Sequence, residues 1–155
     1  MIKINVITNH TNWLQLIKNP NNYIDNKTKK INLESKKFKT KNIFCTLLLS
    51  CDLEIRKLNK KFRKINKSTD VLSFPFHTKK NFIKEKKTKN KELYLGDIII
   101  NFDKIKNKKN KKFFRLEFDK LWVHGLVHLF GHDHKTEKDF KKMKKVEKEY
   151  LKYIE

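Results

Sequence analysis

The sequence predicts a fold of the α/β or α+β class, with about four strands and several helices, the longest of which carries an H-x-x-x-H motif. Three observations lead to this prediction. Apolar and polar residues alternate near the N-terminus, shorter apolar runs follow, and one later apolar run is long enough for a buried helix. Hydrophobic residues make up 37% of the 155 residues, and we expect them to form one core in a single domain, 1–155.

Four segments are predicted to be strands. Residues 2–7 alternate with a period of two, as in a half-buried strand. The segments 43–50, 71–76 and 93–101 are apolar and rich in β-branched or aromatic residues, which is typical of buried strands. Pro75 predicts that its strand ends at a sheet edge or a bulge, because proline cannot donate a hydrogen bond to a neighbouring strand.

Helices are predicted between and after these strands. A short helix over 10–18 should stop near Pro20, and Asp52 should cap the next helix. The longest helix should cover 113–130, and Thr136 should cap the last one. The polar segment 19–42 is predicted to be a loop with some helix, and the lysine-rich segments 77–92 and 103–112 are predicted to be solvated loops.

The chain is strongly basic, with 39 Lys and Arg against 17 Asp and Glu and a formal charge of +22. Such a charge favours RNA, DNA or another acidic partner through contacts with phosphates. A second explanation is compositional, because the chain contains no alanine, much asparagine and only three arginines, as an AT-rich genome would produce. The charge leaves both explanations open.

Other features of the composition bear on location. The apolar runs are shorter than the about 20 residues that a membrane-spanning helix needs, and the N-terminus lacks the pattern of a secretion signal. The two cysteines, Cys45 and Cys51, do not have C-x-x-C spacing. We therefore expect no membrane partner and a cytoplasmic location.

The most informative pattern is a cluster of histidines near the end of the longest helix. His124 and His128 are four residues apart, so they share one face of a helix and can converge on one Zn²⁺. Gly131 can take a left-handed conformation that ends the helix and lets His134 approach the same ion. Three imidazoles leave one coordination position open, which is the arrangement of a catalytic, zincin-like site.

Two neighbouring residues leave alternatives open. His132 is four residues after His128, so it would be the third ligand if the helix continued past Gly131, although the glycine favours His134. Asp133 could hydrogen-bond to a ligand or could be a turn residue facing solvent. Imidazole ligands also suit Ni, Cu and Fe, so the sequence does not fix the native metal.

The residue after the first histidine argues against a standard zinc peptidase. In H-E-x-x-H peptidases this position holds the glutamate that acts as general base, whereas here it is Gly125. Cleavage of a phosphodiester requires less, because a metal ion and a nearby cation can together stabilise the developing charge. Arg63 is the candidate for that cation, and its alternative interpretation is a surface arginine among lysines.

Three blocks of the chain strongly resemble one known family: LNKKFRKINKSTDVLSFPF (58–76), LGDIIIN (95–101) and HGLVHLFGHDH (124–134). They resemble the YbeY family of bacterial endoribonucleases and rRNA maturation factors, and the resemblance extends to the helix with Met143 and Glu147. One departure is His132, which stands where the family usually has tyrosine. Cap or turn roles are expected for the polar residues Asp70, Ser73 and Asp97, with the alternative that Asp97 orients a ligand or the strand edge.

The resemblance implies an α+β fold, in which a small mixed β-sheet of about four strands packs with helices and the helix with the H-x-x-x-H motif is central. It implies one zinc ion held by His124, His128 and His134, and Arg63 as a further catalytic residue. It also implies cleavage of single-stranded RNA, maturation of the 16S rRNA 3′ end and ribosome quality control, with the ribosome and its assembly proteins as partners. Two alternatives remain: a zinc hydrolase of peptide-like substrates, and a non-catalytic ribosome-assembly factor with structural zinc. The general base and the oligomeric state are open.

Overall fold

The computed structural model describes residues 1–35 and 40–155, and these residues form a four-stranded sheet with helices on both of its faces. The strands are β1 (Ile2–Thr8), β2 (Asn42–Ser50), β3 (Val71–Pro75) and β4 (Glu92–Asn101). The helices are α1 (Asn12–Leu16), α2 (Pro20–Glu34), α3 (Asp52–Arg63), α4 (Lys79–Lys87), α5 (Lys111–Leu129) and α6 (Glu137–Ile154). The predicted α+β fold and its mixed sheet are confirmed.

The strands lie in the order β1-β2-β4-β3. β1 is parallel to β2 and β2 is parallel to β4, whereas β3 is antiparallel to β4 and forms an edge of the sheet. Pro75 is the last residue of β3 and lies opposite Gly96, so the predicted placement of this proline on an edge strand is confirmed.

Most of the core lies between one face of the sheet and the helices α2, α5 and α6. α5 crosses β3 and β4 and also contacts α6, and apolar side chains on nearly all its sides are buried. Trp122, Val123 and Leu126 are fully buried in this layer. α5 is therefore held from several directions, which fixes the position of any site built at its C-terminal end.

On the opposite face of the sheet, α3 packs against β4. Ile55 of α3 packs with Leu72 and Ile99 in a small second cluster, and Phe74 covers the edge of that cluster. The second face is therefore only partly covered, and aromatic side chains remain exposed beside α3.

The segment 19–42, predicted to be a loop with some helix, is mostly helical in its described part. Within 19–42, Pro20 begins the 15-residue helix α2, because Asn19 caps it and proline suits the first helical position. Ile24 and Ile31 face the core, but a spacing of one apolar residue per two turns is a weak signal in a polar segment. Residues 36–39 of that prediction lie outside the described part of the chain.

The prediction of a loop over 77–92 was wrong, because this segment contains the helix α4. Thr78 caps it by accepting a hydrogen bond from the backbone N–H of Asn81, and Phe82 is its one buried side chain. The predicted capping role of Asp52 is also wrong, since Cys51 holds that position and Asp52 is the first residue of α3. The Asp52 carboxylate instead accepts hydrogen bonds from Ser68 and Asn101.

At the C-terminus, Thr136 accepts a hydrogen bond from the backbone N–H of Asp139 and caps α6 as predicted. Among the described residues, no helix combines the length and the apolar character that a membrane crossing requires.

Candidate metal centre

The structure brings together the three histidines that the sequence singled out. His124 and His128 lie one turn apart near the C-terminal end of α5, and His134 follows in the loop before α6. One ring nitrogen of each lies within 4.8 Å of those of the other two. His124 and His128 are half-buried and His134 is exposed, so the cluster opens to solvent on one side.

The turn that returns His134 to the cluster depends on Gly131. Its φ is +85°, a left-handed conformation that glycine adopts without strain. The N–H of Gly131 donates to the carbonyl of His128 at 2.8 Å, and the N–H of His132 donates to that of Val127 at 3.3 Å. These two bonds form a Schellman motif, which ends α5 and reverses the chain as the sequence predicted.

Hydrogen bonds fix the orientation of both helical imidazoles. His128 Nδ1 lies 3.0 Å from the backbone carbonyl of His132, and His124 Nδ1 lies 2.6 Å from Glu147 Oε1. A carbonyl and a carboxylate only accept, so both Nδ1 atoms are assigned as N–H donors. In the neutral rings, each Nε2 then presents a lone pair.

The two Nε2 atoms lie only 3.1 Å apart. Two lone pairs at this distance repel each other unless a shared cation, either a proton or a metal ion, lies between them. Burial, with the neighbouring His124, lowers the pKa of His128, which keeps its ring neutral at pH 7. A neutral imidazole is the form that binds a metal ion.

Glu147 is the residue of this centre whose role the spacing of the histidines did not reveal. It lies on α6, its side chain is 8% exposed, and its second oxygen accepts a hydrogen bond from Lys144 Nζ at 2.7 Å. Burial alone would raise the pKa of Glu147, but the bonds from Lys144 and His124 outweigh it and lower that pKa. Glu147 is therefore ionised when it accepts from His124.

A signal for Glu147 exists in the sequence. Glu147 lies on the face of α6 that also carries the buried Met143, Tyr150 and Ile154. An acidic residue on an apolar helix face requires a partner inside the protein, and a histidine is one of the few partners that suit it. The pattern alone does not say which residue that partner is.

The histidines line a cleft of about 840 Å³ that also contains Arg63. Arg63 is exposed at the end of α3, and its guanidinium carbon lies 5.9 Å from the centre of the Phe74 ring. The structure thus places Arg63 and the three histidines in one cleft, although they come from distant parts of the sequence. His77 lines the cleft too and was not singled out.

Gly125 explains how closely α5 approaches the sheet. A Cβ atom at this position would lie 2.6 Å from Ile98 Cγ2 on β4, and the Gly125 carbonyl accepts a bond from Ser73 Oγ at 3.4 Å. The position after His124 therefore faces the sheet and has no room for a side chain. A glutamate with the role it has in H-E-x-x-H peptidases does not fit here.

The residues between Gly131 and His134 have different surroundings. His132 lines the cleft, but the converging group contains His134 and not His132. Asp133 accepts from the His134 N–H at 2.8 Å and lies 3.2 Å from Lys135 Nζ. The His134 N–H and then Lys135 lower the pKa of Asp133 despite slight burial.

The other three polar residues have structural partners. Asp70 accepts from the N–H of Val71 just before β3, as expected of a turn residue. Ser73 and Asp97 instead lie within β3 and β4, so cap or turn roles for them were wrong. Asp97 accepts from the hydroxyl of Tyr94 at 2.6 Å.

Comparison with known proteins assigns the chain to a family. The family model described as Endoribonuclease YbeY matches residues 7–155. An Endoribonuclease YbeY of Pelagibacter ubique is 43% identical over 156 residues, covering 99% of this chain and 97% of the relative. That of a Wolbachia strain is 32% identical over 155 residues, covering 97% and 93%.

A solved structure shares the fold. The solution structure of TM1509 from Thermotoga maritima superposes with a TM-score of 0.55 and 23% sequence identity. The match covers 99% of this chain and 89% of the Thermotoga chain. At this level of identity the similarity bears on the fold alone.

Proposed function

The chain belongs to the YbeY endoribonuclease family, and on this premise we propose that it is a zinc-dependent endoribonuclease that cleaves single-stranded RNA. The observation that carries the proposal is the convergence of His124, His128 and His134 in one cleft with Arg63. The histidines would form the metal site, and Arg63 would bind the substrate beside it.

The chemistry of the three histidines fits a zinc ion. Their ring nitrogens are the ligand type of catalytic zinc sites, and three of them leave a position for solvent or substrate. The Nε2 atoms of His124 and His128 face each other at 3.1 Å, which suits two ligands that each lie about 2.0–2.1 Å from a common ion. Glu147 and the His132 carbonyl hold the rings in this orientation.

In such a site, zinc would act as a Lewis acid and would lower the pKa of a water molecule to about 7. Arg63 would bind the scissile phosphate through its guanidinium group and stabilise the charge that develops on the phosphoryl oxygens. The Phe74 ring beneath the guanidinium would hold it toward the cleft. The ionised Glu147 would keep the proton of His124 on Nδ1, so that Nε2 remains a ligand atom.

We place this activity in the maturation of the 16S rRNA 3′ end and in ribosome quality control, in the cytoplasm. The resemblance of the three sequence blocks to the family supports this placement. The charge of +22 is compatible with an RNA partner, through contacts with its phosphates. Ribosomal and assembly proteins are the corresponding protein partners, and 1–155 would act as a single catalytic domain.

The test is cleavage of a defined single-stranded RNA by zinc-loaded protein, measured beside His128→Ala and Arg63→Ala variants purified in the same way. Arg115→Ala is the matched control, because Arg115 lies near the start of α5 with its guanidinium over the Tyr23 ring. We expect a chelator, His128→Ala and Arg63→Ala to abolish or strongly reduce cleavage and Arg115→Ala to leave it intact. If all the proteins cut RNA equally, a contaminating nuclease is responsible and the proposal is wrong.

A further inference from the structure

A row of aromatic side chains lies beside the cleft, on the partly covered face of the sheet. We call Phe62, Phe74, Phe76 and Tyr94 the aromatic track. Phe62 and Phe76 are 58% and 68% exposed, and Tyr94 is 37% exposed. Large apolar rings with this exposure, next to one another, are a feature of binding surfaces.

The rings of the aromatic track form two pairs that share one strand. The centre of the Phe62 ring lies 5.3 Å from that of Phe74, and the centre of the Phe76 ring lies 5.6 Å from that of Tyr94. Phe74 and Phe76 are two residues apart near the end of β3, so the pairs are neighbours along the sheet edge. Tyr94 is fixed by hydrogen bonds between its hydroxyl and both Asp97 and Thr46.

The aromatic track adjoins the cleft at two points. Alternate residues of β3 face opposite sides, so Ser73 and Pro75 line the cleft while Phe74 packs on the α3 side. Arg63 belongs to both, because it lines the cleft and its guanidinium lies over Phe74. His77 also lines the cleft, and its ring centre lies 5.0 Å from that of Phe76.

The charged groups beside Phe62 and Phe74 are positive, whereas the Asp97 carboxylate accepts a hydrogen bond from Tyr94 at the other end of the aromatic track. The last turn of α3 contains Lys60, Lys61 and Arg63, and Lys61 Nζ lies 5.2 Å from the centre of the Phe62 ring. Exposed rings flanked by cations match the two parts of a single-stranded nucleic acid, because bases stack on rings and phosphates pair with cations. A protein partner would not require this interleaving of rings and cations.

We propose that the aromatic track is a base-stacking subsite that binds the unpaired nucleotides next to the scissile phosphate. The proposal rests on the proposed function, since it takes the phosphate beside Arg63 as its starting point. The RNA strand passes around the edge strand β3, from the cleft to the face of the sheet that carries α3. Phe62 and Phe76 each stack on one base, and Phe74 supports Phe62 and Arg63 from below.

The test measures binding of a fluorescent 2′-O-methyl RNA of about 12 unpaired nucleotides to the zinc-loaded protein by anisotropy, with a gel to show that the strand remains intact. A second strand of the same charge carries abasic sites in place of bases. The variants are Phe62→Ala and Phe76→Ala. Phe113→Ala is the matched control, since Phe113 is 53% exposed but lies three turns before His124 on α5.

We expect Phe62→Ala and Phe76→Ala each to weaken binding of the normal strand at least about fivefold. Binding of the abasic strand should not change, and Phe113→Ala should bind both strands like the parent. Phe62→Tyr and Phe76→Tyr should retain parental affinity, because each keeps a ring. The proposal is overturned if the alanine variants bind the normal strand as tightly as the parent does, or if they lose affinity equally for the normal and the abasic strand. It is also overturned if the tyrosine variants lose as much affinity as the alanine variants.

The parent's cleavage of unmodified RNA, measured in parallel, separates this proposal from the proposed function. If the parent cuts RNA and the alanine variants bind RNA with the parent's affinity, only the proposed stacking role of the aromatic track is refuted. A parent that binds RNA in a ring-dependent way but never cuts it refutes the proposed activity and leaves the stacking subsite in place.

Discussion

Replacing Glu147 by glutamine tests how far the metal site depends on a residue that does not itself converge on the ion. Glutamine has nearly the same shape, so the change removes the negative charge and little else. The amide oxygen can still accept from His124 Nδ1, but the bond loses its charge assistance. Lys144 loses its ion pair, at a small cost, because its side chain is 48% exposed and becomes hydrated.

The size of the effect follows from the bond that is weakened. Glu147 Oε1 lies 2.6 Å from His124 Nδ1, in a position where the carboxylate is 8% exposed. Hydrogen bonds to charged groups contribute about 1.5–3 kcal/mol, and mutation of such a partner of a metal-binding histidine typically weakens metal affinity about 10- to 100-fold. We therefore expect Glu147→Gln to raise the zinc dissociation constant by this factor.

The assay is competition for zinc between the protein and a chromogenic chelator of known affinity. Glu137→Gln is the matched control, because Glu137 is on the same helix, is 80% exposed and pairs with Lys141 in solvent. The control should bind zinc as the parent does. A change of less than about twofold in Glu147→Gln, in a protein that is folded by circular dichroism, would refute the reasoning.

Three further predictions concern the surroundings of the site. Gly125→Ala places a Cβ 2.6 Å from Ile98 Cγ2, so urea denaturation should show a loss of about 1–3 kcal/mol, and an unchanged midpoint would contradict the packing described here. Burial lowers the pKa of His128 in the folded protein. As the pH falls below about 6.5, the His128 imidazole is therefore protonated in the unfolded chain before it is protonated in the folded protein. The metal-free protein should therefore lose stability in that range more steeply than His128→Gln, and equal slopes would argue against it. Burial raises the pKa of the Cys45 thiol to about 12. Iodoacetamide at about pH 8 should therefore label the half-exposed Cys51 in the folded protein and should label Cys45 only after unfolding. Equal labelling of both cysteines in the folded protein would contradict this prediction.

The parts of the site that could be predicted are local in sequence. His124 and His128 share a helix face because of their spacing, and Gly131 permits the Schellman turn that returns His134 within a few residues. Backbone geometry over one turn and one reversal suffices for this prediction. The long, apolar α5 was predictable for the same reason, since its pattern extends over many residues.

The remaining parts depend on contacts between distant segments. The bond between His124 and Glu147 joins residues 23 positions apart, and it exists only because α6 packs against α5. The sequence shows a buried acid on α6 but not its partner. The aromatic track likewise depends on β3 lying at the sheet edge beside the end of α3, which no local pattern shows.

One physical cause explains why the sequence predicts only some helix where α2 lies and no helix where α4 lies. α2 and α4 lie in polar segments in which few apolar residues mark a face, and α4 buries only Phe82. Their ends are set by caps, Asn19 before Pro20 and Thr78 before Lys79. In lysine-rich segments of this kind, cap residues are better indicators of helices than hydrophobic periodicity.

The most direct test of the account is a crystal structure of the zinc-loaded protein. We expect one ion held by imidazole nitrogens of His124, His128 and His134 at about 2.0–2.1 Å, with solvent in the fourth position. Glu147 should still accept from His124 Nδ1. A fourth position filled by a protein side chain such as His132, or His134 turned away from the ion, would contradict the proposed catalytic centre.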